Sequence, residues 1–215
     1  MAIHSIVSIP NSGTLVDEDV CSYMCENLIV AKTCLDGLDK KKYGFPALVL
    51  IMSVIDSIGA YFENGTQLPL SGHTLPMNTD FSKKMKSLHF VAFYNGVTAN
   101  NWGGKYLKDI IKKFPKSSDF VDKLCRPYRN RSTHTNILEE NHFIVKSSRS
   151  KYVIYKEASS FISHVNSTGT TISNGINVTC CYLYLEPLYN FTKLCFEQLM
   201  ASLNIPIPQR YSIKL

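Results

Sequence analysis

Apolar positions along this chain recur mostly at helical spacing, and the breaks between them fall at Gly, Pro and Asn. Thr14 reads as an N-cap with Asp17 at the acidic third position. Asp17, Glu18 and Asp19 suit the positive end of a helix running to about Cys34 and ending at Gly37. After the basic connection Lys40, Lys41 and Lys42, Phe45 and Pro46 open the most apolar run, residues 48–62, which is closed by Asn64-Gly65 and predicts a central buried helix. Residues 67–78 read as a loop. Phe81, Met85, Leu88 and Phe90, with Lys83, Lys84 and Lys86 between them, predict a third, amphipathic helix to about Tyr94, with Asn95-Gly96 and Gly103-Gly104 bracketing a break. Tyr106, Leu107, Ile110, Ile111 and Phe114 form one face of a fourth helix that Pro115 ends. Ser117 or Ser118 caps a fifth, through Phe120, Val121 and Leu124 toward His134, kinked or restarted at Pro127.

Beyond this point the pattern changes. Residues 152–155 and 176–184 read as strands around a Ser/Thr/Gly/Asn-rich turn region that includes Gly169 and Asn174-Gly175, a small hairpin. Pro187 opens a last helix through Leu188, Phe191, Leu194, Cys195, Leu199 and Leu203, before a proline-broken tail. The expected fold class is mainly α: a helical bundle with a small β-hairpin before the last helix. One domain spans 1–215, with 150–185 as the hairpin insertion.

At 215 residues and 45% hydrophobic, the chain can bury a core by itself. The longest apolar run is interrupted by Ser53, Asp56, Ser57 and Gly59, short of the ~18 residues a membrane span needs. No basic region followed by an apolar stretch opens the chain, so a cytoplasmic location and no membrane partner are expected. The seven cysteines form an odd set without a CxxC pair, which favours buried thiols over disulfides or zinc. Asn-x-Ser/Thr triplets at Asn64, Asn130, Asn166, Asn177 and Asn190 carry no weight without an export signal.

Charge is segregated. Residues 83–131 hold 12 Lys/Arg against Asp109, Asp119 and Asp122, a local +9 within a chain of net +6, which leaves −3 elsewhere. A concentrated positive field of this kind attracts polyanions and releases their counterions. It is also what a solvated helix face looks like. Lys105, Lys108, Lys112 and Lys113, on the polar side of the fourth helix, are candidate contacts for an RNA backbone.

The run Arg126-Pro127-Tyr128-Arg129-Asn130-Arg131-Ser132-Thr133-His134 brings guanidinium, amide and imidazole groups together. On an α-helix Asn130 and His134 are i and i+4 and share a face, flanked by Arg129 and Arg131. An imidazole can take a proton from an RNA 2′-hydroxyl or give one to the leaving 5′-oxygen. A guanidinium binds phosphoryl oxygens through two donors as negative charge builds, and an amide fixes the imidazole tautomer or holds a phosphate oxygen. Catalysis is therefore assigned to Arg129, Asn130 and His134, with Arg126 and Arg131 as auxiliary phosphate contacts.

This run resembles the signature of the HEPN domains, in which Arg is followed after four to six residues by His, often with Asn, Asp or His directly after the Arg. Here these are Arg129, Asn130 and His134. The similarity covers the motif and the helical order from about Val16 to His134, and leaves the hairpin region outside it. The resemblance implies a helical bundle that forms a homodimer with the two motifs facing each other across a cleft. It further implies metal-independent endoribonuclease activity of the toxin or defence type, which leaves a 2′,3′-cyclic phosphate, needs no cofactor and has a cognate antitoxin protein as a partner besides RNA. Some such domains have lost catalysis and bind nucleic acid or a protein partner, which is the alternative reading here.

Asp56 sits mid-helix in the most apolar segment, where an unpaired carboxylate is costly to bury. Either it supports the cluster by reaching Arg129 or His134, or it lies on a narrow solvent strip with Ser53 or caps a nearby backbone group. The other histidines (His4, His73, His89, His142 and His164) read as surface or core residues, and no pair has metal-site spacing. Cys21 and Cys25, four apart, read as core packing. No glycine-rich nucleotide motif is present. Tyr182, Tyr184 and Tyr189 are candidates for stacking bases, although alternating aromatics on a strand also pack a core face.

Overall fold

The computed structural model describes residues 14–37, 44–62, 74–76, 85–130, 138, 141–147, 150–162 and 176–212. These form a mainly helical protein with a small three-stranded sheet. Two short strands, β1 (Thr14–Val16) and β2 (Thr74–Pro76), pair antiparallel with Leu15 opposite Leu75. The first helix, α1 (Asp17–Asp36), follows β1 directly, so Thr14 is a strand residue and not the expected cap. The loop expected over 67–78 likewise contains β2. Gly37 closes α1 as expected, its N–H bonded to the Thr33 carbonyl at 2.8 Å.

The apolar run becomes α2 (Gly44–Tyr61), which opens beside Phe45 and Pro46 as expected and buries Leu48, Ile51, Met52, Val54, Ile55 and Ile58. It packs against α1, against α3 (Met85–Ala99) and against the last long helix, α6 (Leu185–Leu203). Among the described residues, α2 alone is long and apolar enough to match a membrane span in length and composition; here half of it is buried within the fold.

Helix α3 runs through Asn95-Gly96, where a break is expected. The glycine serves packing and not termination, since a Cβ at Gly96 would fall 2.3 Å from the Phe62 ring. The predicted start at Phe81 lies outside the described residues. The break does occur at Gly103 and Gly104, both at positive φ, and α4 (Lys105–Lys113) follows.

Lys116, not a serine, occupies the cap position of α5 (Ser117–Phe120), and its N–H is accepted by the Asp119 carboxylate at 3.1 Å. The chain then widens into a π-helix over Val121–Asn130 with Pro127 inside it. An α-helical turn would drive the proline ring into the Lys123 carbonyl, and the wider winding relieves that clash. The kink expected at Pro127 is thus taken up as a change of helical pitch.

The sheet has the order β3-β5-β4, formed by β3 (His142–Val145), β4 (Tyr155–Ile162) and β5 (Ile176–Tyr184). Strands β4 and β5 make the expected antiparallel pair, with the first of them placed later than predicted. Strand β3, parallel to β5, is an addition. Helix α6 ends on Asn204, at φ 56° in the left-handed region, and the tail forms a short helix α7 (Gln209–Ser212) whose Tyr211 hydroxyl donates to Glu26 at 3.1 Å. One cluster of buried side chains runs from Val20 to Tyr211 and includes residues of both the helices and the sheet.

Candidate active site

The π-helix is pinned to the sheet by Tyr128. Its ring is fully buried, its hydroxyl donates to the Cys181 carbonyl on β5 at 2.9 Å, and it makes a T-shaped contact with the His142 ring, centroids 5.4 Å apart. Burial, then the neighbouring Cys181, pushes the Tyr128 phenol well above its ordinary range, so it stays a neutral donor. Leu124 and Cys125 are buried on the same helix, which packs against α2 and α3. Arg129 and Asn130 are the next two residues and close the π-helix.

Arg131 and His134 lie outside the described residues. Winding through Asn130 follows i→i+5 hydrogen bonding, so the premise that an α-helix carries Asn130 and His134 on one face does not hold for the turn leading into Asn130. Arg126 is exposed and pairs with Asp122 at 3.1 Å, one of two exposed ion pairs of this helix among the described residues. The other joins Lys123 to Glu157 on β4 at 3.0 Å, and this hydrogen bond holds the Glu157 carboxyl below its ordinary range against the opposing effect of burial.

Asp56 meets His89 on α3, Oδ1 to Nδ1 at 3.1 Å, with both side chains largely buried. Ser53, one turn earlier, bonds Tyr23 on α1 at 3.1 Å; Ser53, Asp56 and Ser57 are all half-buried on one side of α2, so Asp56 does share a narrow strip with Ser53 while finding His89 as a partner across it. The sequence identified the need for a partner at Asp56 but not His89. The signal was present in the spacing, since Met85, His89 and Phe93 fall at i, i+4 and i+8 on α3.

On α4 the faces separate mostly as expected, with Tyr106, Leu107 and Ile110 buried and Lys105, Lys108 and Lys112 exposed, but Ile111, expected on the apolar face, is 44% exposed. Lys113 departs from this row. It is half-buried, and its charge acts on Glu157. Of the tyrosines considered for stacking, Tyr189 is sealed in the core at 2% exposure, whereas Tyr182 is half-buried and stacks on Phe143, ring centroids 5.3 Å apart at 21°. The apolar, β-branched run His142–Val145 is what could have marked β3, and with it the placement of His142 beside Tyr128.

None of the seven cysteines is in a disulfide, and five of them are buried. Among the described residues no group of three His, Cys, Asp or Glu side chains could hold a metal ion. No family model, no curated protein and no solved structure matches the chain.

Proposed function

We propose that this chain is a metal-independent endoribonuclease of HEPN-like type, cytoplasmic and active as a homodimer, with Arg129, Asn130 and His134 as its catalytic set. The His134 imidazole removes the proton of a 2′-hydroxyl, and that oxygen attacks the adjacent phosphorus. The bond from phosphorus to the 5′-oxygen breaks, and an imidazolium, from the partner motif in a symmetric cleft, protonates the leaving oxygen. The products are a 2′,3′-cyclic phosphate and a 5′-hydroxyl. Arg129 neutralises the charge on the phosphoryl oxygens and Asn130 orients the imidazole.

The observation that carries this reading is the position of Tyr128. Its buried ring and bonded hydroxyl fix the backbone immediately before Arg129, so the motif starts from a rigid element. The exposed row Lys105, Lys108 and Lys112 and the exposed Arg126 supply positive charge for a phosphate backbone.

The test is incubation of the full chain with mixed RNAs in EDTA, with the new ends analysed for cyclic phosphate. Scission that His134→Ala and Arg129→Ala each abolish, with the helical circular-dichroism signal retained, is the expected result. Scission by the double variant overturns the mechanism. Salt-sensitive RNA binding without any scission replaces it with the catalytically silent binding module.

A further inference from the structure

Phe143, Tyr182 and Lys156 stand in one row across the sheet. Phe143 on β3 is opposite Tyr182 on β5, and Tyr182 is opposite Lys156 on β4. The two rings are stacked, and Phe143 remains 44% exposed. Successive strand residues point to opposite faces, so this row lies on the face away from Leu183, which is fully buried. Among the described strand residues on the Phe143 side, Lys156 is the one charged group; the carboxylate of Glu157 belongs to the other face, where it pairs with Lys123.

We propose that this row is a stacking platform for single-stranded RNA, a base-binding subsite of the nuclease reading above, on which it rests. Phe143 already has one face against Tyr182, and the near-parallel geometry leaves its other face as the end of an aromatic stack that a nucleobase continues. Lys156 takes the neighbouring phosphate. A single-stranded segment is required, because bases in a duplex have no free face to offer. His142, next to Phe143 on β3, touches Tyr128, the residue before Arg129, so the platform and Tyr128 lie on opposite sides of β3. Strand β3 is an edge of the described sheet, and an RNA strand passing around that edge engages both.

The probe is a fluorescent 2′-O-methyl oligouridylate of about a dozen nucleotides, within the span of known single-strand sites. It lacks the 2′-nucleophile and stays intact. Phe143→Ala is expected to weaken its binding about tenfold without changing the salt slope. Lys156→Gln is expected to lower that slope by about 0.7. Phe143→Trp keeps the stack, and its emission should be quenched by the oligouridylate but not by an abasic oligomer of equal length.

Absence of quenching in Phe143→Trp, or equal affinity for the abasic oligomer, overturns the platform. A change in sedimentation mass on Phe143→Ala with unchanged RNA affinity also overturns it, assigning the face to a second copy of the chain. Cleavage of ordinary RNA is scored separately. Cleavage without quenching sinks the platform alone, and quenching without cleavage sinks the nuclease alone.

Discussion

Asp56 on α2 and His89 on α3 join at 3.1 Å one turn from Gly59, a residue at which the two helix backbones approach closely. A Cβ on Gly59 would lie 2.1 Å from the backbone carbonyl oxygen of His89 itself, so the polar pair and the close approach belong to one crossing. Gly59→Ala improves helix propensity by about 1 kcal/mol but forces the backbones apart. The overpacking penalty, about 1–3 kcal/mol and at the upper end against a rigid backbone atom, wins, and a net loss of about 1–2 kcal/mol is expected. Thermal unfolding should show a fall of roughly 2–4 °C per kcal/mol for a chain of this size. An unchanged or raised midpoint would show that α3 shifts freely along α2.

The pair itself is tested by a double-mutant cycle of Asp56→Ala and His89→Ala in urea. Removing the carboxylate takes a hydrogen-bond partner from a largely buried ring, at a cost of about 1–3 kcal/mol. Because the two residues touch, the double variant should cost less than the sum of the singles by at least about 0.5 kcal/mol. Strict additivity would mean that the 3.1 Å contact contributes nothing to folding.

How much of this was legible in the sequence depended on the range of the forces involved. The helices α1, α2, α4 and α6 were marked by apolar periodicity and by local punctuation at Gly37, Pro115 and Asn204, all of which act within a few residues. What escaped was set by contacts distant in sequence. Gly96 reads locally as a breaker, but Phe62 requires a residue with no side chain there, so α3 continues. Asp56 finds its partner 33 residues away; the spacing on α3 places His89 in line with Met85 and Phe93 but does not say which residue of another helix it meets. β3 is a short segment whose pairing with β5 depends on a register established nearly 40 residues later in the chain. At the candidate site, the motif residues are proposed from their chemistry alone, whereas the π-winding that ends at Asn130 follows from how Pro127 is accommodated in the packed helix.

Tyr189 sits in the core with a hydroxyl that has no hydrogen-bond partner among the described residues. Burial, with the charges of Asp36 and Glu197 adding to it, pushes its phenol up to about 12 from 10.0. A folded value above the unfolded one means that this group's contribution is fully present below pH 10 and is lost as pH rises toward about 12. Tyr189→Phe removes both the unsatisfied donor and the ionisation. At neutral pH the variant should be as stable as the parent or more stable by about 1 kcal/mol. Its advantage should widen above pH 10, read as the difference between the two urea midpoints across an alkaline series. A variant that loses stability at neutral pH would show that the hydroxyl does have a partner in solution.

Acid titration has the opposite sign at Glu157. Its hydrogen bond with Lys123 lowers the folded value beneath 4.5, so the pair stabilises above that pH and the contribution fades as pH falls through the lower, folded value. Both side chains are more than a third exposed, which limits the effect to less than about 1 kcal/mol. Lys123→Gln should flatten the stability curve below pH 4.5 while leaving its alkaline limb unchanged. An equal loss at every pH would assign the effect of Lys123 to packing of its aliphatic stem.

The exposed row on α4 is the remaining quantity to measure. Lys105, Lys108 and Lys112 face solvent, with the Lys105 ammonium 5.5 Å from the Tyr152 ring centroid, while Lys113 turns toward Glu157. If the three exposed lysines each neutralise one phosphate of a single strand, the triple Gln variant should reduce the slope of log affinity against log salt by about 2, from roughly 0.7 per contact. Lys113→Gln serves as the internal comparison, because a lysine beside a carboxylate releases few counterions on RNA binding, and its slope should stay near that of the parent. The Tyr106, Leu107 and Ile110 face is untouched by these changes, so the unfolding midpoint should move by no more than about 0.5 kcal/mol equivalent. A slope unaltered by the triple variant would mean that the positive field of this segment acts elsewhere, and would reduce the α4 row to a solvated helix face.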